Sequence, residues 1–443
     1  MIFDKRLLNV TVLGLAFMLI FTAFQTMGNI EKTVLDSITR DDPTFTGNGY
    51  TSLAIIYTVF ALCNWLAPSL ISVLGPRVTM LLGGIIYLLF IASFLYPQTW
   101  LLYAASGMLG AGAAAIWTAQ GCYLTLNSDA NTISRNSGIF WAMLQSSMFL
   151  GNTFVSLVFQ GKAEIDAGSR HLVFTVLCVV AGLGVVVLAV LPRPRTHDGE
   201  CTPQTNEGPL NALKSAGSLF VTKEMLLLCV TFLYTGFELS FYCGVYSSCI
   251  GFTKEFGDSA KTLVGMSGIF IGVGEVLGGV VFGLMGSRTN RWGRDPIVIL
   301  GFIIHVVAFF SIYLNLPNTS PFGETVDKAH IQSSAFLAIL GSLMLGLGDS
   351  CFNTQILSIL GGMYPDDSAP AFAIFKFTQS LSAAGSFFYS NQVGLYMQLY
   401  MLAAWGTAGT LTFCLVENMN RQLRAYTPSA VVTASNKDLA KQT

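Results

Sequence analysis

Apolar residues run in long stretches over nearly the whole chain, broken at short polar or Pro/Gly-rich points. A helix that crosses a bilayer needs about 20 mainly apolar residues. Twelve runs meet that need, at 7–29, 51–74, 78–97, 101–124, 136–160, 172–191, 225–248, 262–285, 296–316, 335–360, 369–391 and 395–416, numbered below as spans 1 to 12. The longest break, 192–224, carries Pro192, Arg193, Pro194, Arg195, Cys201-Thr-Pro-Gln-Thr205 and Gly208-Pro209, and reads as a linker between two bundles of six. The expected organisation is a first six-helix bundle over 1–191, a cytosolic linker over 192–224, a second bundle over 225–418 and a disordered cytosolic tail over 419–443. The first run is too long for the apolar region of a cleaved signal and is followed by no small-residue cleavage site, so it is expected to be retained.

Composition agrees with this pattern. The chain is 53% hydrophobic and only 11% charged, with a mean hydropathy of +0.61, whereas soluble domains carry roughly 25% charged residues. A formal net charge of −1 leaves no broad basic surface for nucleic acid. The nine cysteines fall mostly inside apolar runs, with no CxxC and no histidine at ligand spacing, so neither a disulfide framework nor a metal or other cofactor is called for. Fifteen Lys and Arg residues lie in one set of loops, from Lys5 and Arg6 to Lys437 and Lys441, against seven in the other. That asymmetry puts both termini in the cytosol. The sequon Asn318-Thr-Ser then falls on the outer side, where Asn318 is a glycosylation candidate; Asn9-Val-Thr lies within the first span and is discounted.

The two halves resemble each other. Phe21-Thr-Ala-Phe-Gln25 in span 1 matches Tyr234-Thr-Gly-Phe-Glu238 in span 7 at an offset of 213. Gly75-Pro-Arg77 after span 2 sits where Gly293-Arg294 sits after span 8, at an offset of 218, and Gln120 pairs with Gln355 and Ile139-Phe140 with Ile374-Phe375 at 235. The outer loop at 317–334 accounts for the increase. The expected fold is an all-α, multi-pass membrane protein of the major facilitator type, with twelve transmembrane helices in two six-helix bundles related by pseudo-twofold symmetry.

Polar groups inside hydrocarbon are tolerated only where they face other protein or water. The stronger ones are Gln25, Asn64, Gln120, Gln145, Asn152, Glu238, Glu275, Asp349, Asn353, Gln355, Lys376 and Gln379, on spans 1, 2, 4, 5, 7, 8, 10 and 11. Spans 3, 6 and 12 carry little beyond hydroxyls and Tyr, and His305 in span 9 reads as a packing histidine. In a major facilitator fold spans 3, 6, 9 and 12 lie outside and the others surround a central cavity, which is the distribution seen. Asn64, Gln145, Asn152 and Gln379 serve equally well as hydrogen-bond glue between helices. The four charged residues all belong to the second half. Glu275 and Asp349 enter from the outer face and Lys376 from the inner face, at depths of roughly 20 and 10 Å in a core about 30 Å thick. Lys376 is therefore expected to pair with Asp349 or with Glu275. Glu238 has no obvious basic partner and is the first candidate for a proton-coupling carboxyl.

Gly272-x-Gly274-x-x-x-Gly278 and Gly346-x-Gly348 follow no strand and are packing surfaces, not dinucleotide loops. The small-residue stripe of span 8 is expected to admit span 5 across the boundary between halves, either as simple packing or as a sliding seam.

Gly286-Ser-Arg-Thr-Asn290-Arg291-Trp-Gly293-Arg294 resembles the major facilitator loop signature Gly-x-x-x-Asp-Arg-x-Gly-Arg, with Asn290 at the Asp position. The first-half copy is reduced to Gly75-Pro-Arg77, with Ser72 where the Asp belongs. Phe21-Thr-Ala-Phe-Gln-Thr26, Trp117-Thr-Ala-Gln-Gly121, Arg135-Asn-Ser-Gly-Ile-Phe-Trp141, Gly346-Leu-Gly-Asp-Ser-Cys-Phe-Asn-Thr-Gln355 and Asp367-Ser-Ala-Pro-Ala-Phe-Ala-Ile-Phe-Lys376 resemble the uncoordinated-93-like branch of that superfamily. The resemblance runs from span 1 through span 12. It implies gating roles for Gly75, Arg77, Asn290, Arg291, Gly293 and Arg294, and it implies either of two activities, because relatives include solute carriers and proteins that bind other membrane proteins. One is a secondary carrier without ATP hydrolysis, in which Gln25, Gln120, Glu238 and Gln355 contact solute or protons while Glu275, Asp349 and Lys376 form a charge cluster. The other is a regulator or escort of another membrane protein. No nucleophile, base and orienting group come together by motif, so an enzyme is not expected.

Overall fold

The computed structural model describes residues 5–47, 49–129, 131–159, 166–196, 199–200, 209–284, 293–390 and 392–439. Every apolar run folds as helix. Span 1 is Lys5–Asp41, span 4 is Thr99–Leu126, span 5 is Ile133–Phe159 and span 6 is Ala167–Ala189. Span 7 is Lys223–Phe252, span 8 Ala260–Leu284, span 9 Asp295–Asn315, span 10 Ala335–Met363, span 11 Ser368–Tyr389 and span 12 Leu395–Leu439. Span 2 begins at Gly49–Asn64 and resumes at Ala67; helix Ala67–Ser93 then bends at Gly75 (φ 72°), which divides span 2 from span 3. Glycine takes that left-handed conformation without a Cβ clash, and Pro76 is pre-set to open the next helix. Apart from a two-residue antiparallel pairing of Arg195–Thr196 with Gly199–Glu200 in the linker and an isolated bridge between Thr253 and Thr325, the described residues form an all-helical architecture.

Among the described residues, nine helices are long and apolar enough to cross a membrane, and Thr51–Asn64 is a shorter apolar helix. Spans 5 and 11 are less apolar because they carry Gln145, Ser146, Ser147 and Asn152, and Lys376, Gln379, Ser380 and Ser382, most of them buried. Polarity here reflects contact with protein rather than lipid.

Span 8 holds its neighbours through two glycine faces. A Cβ at Gly279 would lie 2.7 Å from the Ala142 nitrogen of span 5, and one at Gly272 would lie 3.0 Å from Met148 Cβ. One at Gly274 would meet the Leu343 carbonyl of span 10 at 2.3 Å. The expected contact of span 8 with span 5 is thus present, with span 10 on the adjoining face.

Both ends of the long helices are tied down beyond the apolar core. Span 12 runs as helix to Leu439, past residue 419, where the sequence reading starts a disordered tail. Its Glu417 and Arg421, one turn apart, are held by Arg294 and Asp295. Near the linker, Arg6 meets Asp129 at 3.2 Å and Asn9 donates to Asn127 Oδ1 at 2.7 Å. Partial burial works against the Asp129 charge. Hydrogen bonds from the Thr132 hydroxyl and the Asn131 and Thr132 N–H groups, with Arg6, outweigh it and hold the carboxyl below its usual range. Its contribution is therefore present at neutral pH and lost as pH falls through that lowered value. The linker helix Pro209–Phe220 lies on the same face, with Phe220 against Trp65 of span 2 (5.6 Å) and Phe377 of span 11 (6.4 Å).

Candidate functional site

The interior site is built around three buried carboxyls of the second half. Glu238, Glu275 and Asp349 are each at most 1% exposed. Glu275 on span 8 and Asp349 on span 10 interact side chain to side chain. Asn353, one turn along span 10, donates to Asp349 Oδ1 at 2.7 Å. Trp141 of span 5 donates its indole N–H to Glu275 Oε2 at 2.7 Å, so a first-half side chain caps a second-half acid. Beside the cluster, span 7 widens into a π-helical turn, Phe241–Tyr246. Its Tyr242 lies within electrostatic reach of all three carboxyls. Such turns interrupt the regular ladder and concentrate at functional sites.

Glu238 has a neighbour that sequence reasoning missed. His305 of span 9, expected only to pack, is fully buried, with Nε2 2.9 Å from Glu238 Oε1. The ring's bonds fix its tautomer. Nε2 lies 3.1 Å from the Leu345 carbonyl, which can only accept, so the proton is on Nε2, and Nδ1 accepts from the Tyr234 hydroxyl at 2.5 Å. That N–H serves Leu345, so neither Glu238 oxygen receives a directed hydrogen bond. The ring fits because position 348 is glycine: a Cβ there would lie 2.2 Å from His305 Cδ2. Glu238 therefore turns into the second bundle, toward spans 9 and 10.

Lys376 does not form the expected ion pair. Its Nζ donates to Gln379 Oε1 at 2.8 Å and stands 4.4 Å from the ring centres of Trp117 and Phe375. Among the described residues no carboxylate is within salt-bridge distance of it. Asp349 acts on it only at longer range, because the Asp349 side chain is taken up by Asn353 and Glu275. The Glu275, Asp349 and Lys376 cluster is thus an acid pair and a separate ammonium. The repeat offset of 235 makes the arrangement legible: Lys376 and Trp141 hold corresponding positions on spans 11 and 5, and each reaches into the opposite half.

The glutamines divide. Gln25 is held by span 5, donating to Gln145 Oε1 at 3.3 Å and accepting from Ser147 at 2.6 Å. Gln120, fully buried on span 4, has no hydrogen-bond partner at either amide atom among the described residues. Gln355 donates to Thr354 at 3.1 Å, and its oxygen is unpartnered.

Of the loop residues, Asn290 and Arg291 lie outside the described residues. Gly293 (φ 95°) lets Arg294 reach Glu417 at 3.1 Å, Ser358 Oγ at 2.8 Å and the Ser358 carbonyl at 3.3 Å. Arg294 and Glu417 are both 3% exposed, and they join spans 9, 10 and 12 of one half rather than bridging the halves. Gly75 makes the bend described above, and the Arg77 Nε is buried without a partner. On the linker side the halves meet where a Cβ at Gly121 would strike the Phe372 ring at 2.2 Å and where Trp65 packs on Phe377 at 5.2 Å. Asn318, on the opposite side, is exposed and accepts from the Tyr396 N–H at 2.9 Å, capping span 12.

Residues 44–414 match the family model described as "Ion channel regulatory protein UNC-93". The chain is 48% identical over 432 residues to the Xenopus laevis UNC93-like protein MFSD11, covering 94% of this chain and 96% of that one. It is 24% identical to the Homo sapiens protein unc-93 homolog A, over 98% of this chain and 99% of the relative. Among solved structures it superposes on the human organic anion transporter MFSD10 (TM-score 0.66, 15% identity, 94% of this chain and 100% of that chain). It also superposes on the proton:xylose symporter XylE (TM-score 0.65, 13% identity, 92% and 95%). With the fold, these matches make the chain a multi-pass membrane protein of the UNC-93 family, built on the major facilitator fold.

Proposed function

We propose that the protein is a proton-coupled secondary carrier of a small solute, working by alternating access with both termini in the cytosol. The observation that carries this reading is the pair of contacts between halves at the interior charges: Trp141 on Glu275 and Trp117 on Lys376. Rocking of the two bundles would break both. It would expose an acid pair and an ammonium whose pairing changes with the state of the molecule. Three carboxyls with no lysine or arginine at salt-bridge distance among the described residues need protons as their counter-charges. Glu275 with Asp349 supplies the shared proton, and Glu238 beside His305 supplies a second store. Gln120, with neither amide atom partnered among the described residues, and Gln355, with its amide oxygen unpartnered there, supply hydrogen bonds to solute, while Gln25 is committed to span 5. Two structural neighbours are named as an organic anion transporter and a proton symporter, in keeping with this reading.

The second reading is a regulator or escort that binds another membrane protein, in keeping with the family description, ion channel regulatory protein. Uptake into proteoliposomes over a broad metabolite panel separates the two. Wild-type protein should accumulate at least one solute above empty vesicles, and Asp349→Asn and Glu275→Gln should each reduce that uptake at least about tenfold, as removal of a required proton carrier does. No flux, with stoichiometric co-purification of another membrane protein, would establish the second reading.

A further inference from the structure

We infer that Lys376 receives the negative group of the cargo, and that the cargo is a small carboxylate. This deepens the carrier reading and rests on it.

An ammonium has three N–H donors, and among the described residues Lys376 has one hydrogen-bond acceptor, Gln379 Oε1 at 2.8 Å. The side chain is 5% exposed, and a charge so buried is costly without an anion beside it. Trp117 and Phe375 supply ring faces at 4.4 Å, which attract a cation more weakly than a carboxylate does. Of the three interior acids, Asp349 is taken up by Asn353, Glu275 by Trp141, and Glu238 lies beside His305. The first half adds a second, independent feature. Gln120 is fully buried with both amide atoms unpartnered, one turn from Trp117 on span 4. The contact of Gly121 with Phe372 sets this turn against span 11 one turn from Lys376.

An ammonium and a free carboxamide suit the two oxygens of a carboxylate, the amide N–H donating to one of them. Trp117 continues into a wall of Phe17 and Phe21, at 5.7 and 4.9 Å, which suits an organic body rather than a bare inorganic ion. Binding would draw Nζ from Trp117 and Gln379, loosening a contact between the halves.

The test is uptake by full-length protein in proteoliposomes, comparing lactate, pyruvate, succinate and glutamate with lactamide, glycerol and glucose. Wild type should move at least one carboxylate and should prefer lactate to lactamide if lactate is carried. Lys376→Gln should weaken half-saturation for that carboxylate about tenfold to a hundredfold, the worth of a charged hydrogen bond; Lys376→Arg should recover part of the loss, and Gln120→Ala should cost severalfold. Movement of a neutral solute with no carboxylate carried overturns this inference and leaves the carrier reading standing. Carboxylate uptake unchanged in Lys376→Gln overturns it too, and if no solute moves, both fall. Should Lys376→Gln not fold, the wild-type comparison of acids with neutral solutes decides.

Discussion

At the scale of single residues, charge in an apolar run is a strong signal and its partner a weak one. Glu238, Glu275, Asp349 and Lys376 stand out because each lies in a stretch otherwise free of charge. Their neighbours Trp117 and Trp141 do not, since an indole reads as one more apolar residue, although tryptophan usually gathers at the membrane interface rather than in mid-span. His305 was legible as a residue but not as a neighbour of Glu238. Its span is assigned to the lipid side by fold position, and the slot that admits the ring exists only because residue 348 lacks a Cβ. Asn318 carries a different prediction. Its side chain caps span 12 through Oδ1, so Asn318→Gln should remove a glycan and also lower stability by about 1 kcal/mol. Ser320→Ala should remove the glycan while leaving that cap. A mobility shift on glycosidase treatment, lost in both variants, with a lower melting temperature only in Asn318→Gln, is the expected result.

Elements were legible in number and order, and less so at their ends. Span 1 has 37 residues, about 55 Å of helix against a core about 30 Å thick. Its last turns are polar and therefore invisible to an apolar count. They are fixed by Arg170 of span 6, which donates to Ser37 at 3.0 Å and pairs with Asp41. The loop expected at Gly75 between spans 2 and 3 is as short as it can be, one residue of non-helical backbone between two helices. Packing glycines were visible as a stripe, but which faced the other half was not, because sequence spacing does not say which neighbour a face meets. Gly348→Ala should destabilise the second bundle by about 1–3 kcal/mol, the usual range for overpacking, read as a lower melting temperature in detergent. His305→Ala in the same chain should restore part of it, since that removes the ring the new methyl strikes.

For the whole molecule, the repeat and the twelve runs made the two-bundle architecture readable, while the state of the molecule was not, because it depends on which surfaces of the halves touch. On the linker side they touch at Gly121 and Phe372. If the halves rock, joining these positions should stop transport. A Gly121→Cys, Phe372→Cys double variant, where loss of the ring makes room for the new Cβ, should lose uptake on oxidation and regain it with reductant. Phe372→Cys alone controls for the native Cys122 beside the site. Uptake that survives complete cross-linking would mean that this seam does not open.

The central claim is that the interior acids carry the proton that drives solute movement. The most direct measurement is solute uptake into proteoliposomes with and without an imposed pH gradient, in wild type and in a Glu275→Gln, Asp349→Asn double variant. The account predicts that the gradient drives wild-type solute above its equilibrium level and that the double variant, correctly folded, shows no response to the gradient. Gradient-driven accumulation of equal size in the double variant would contradict it.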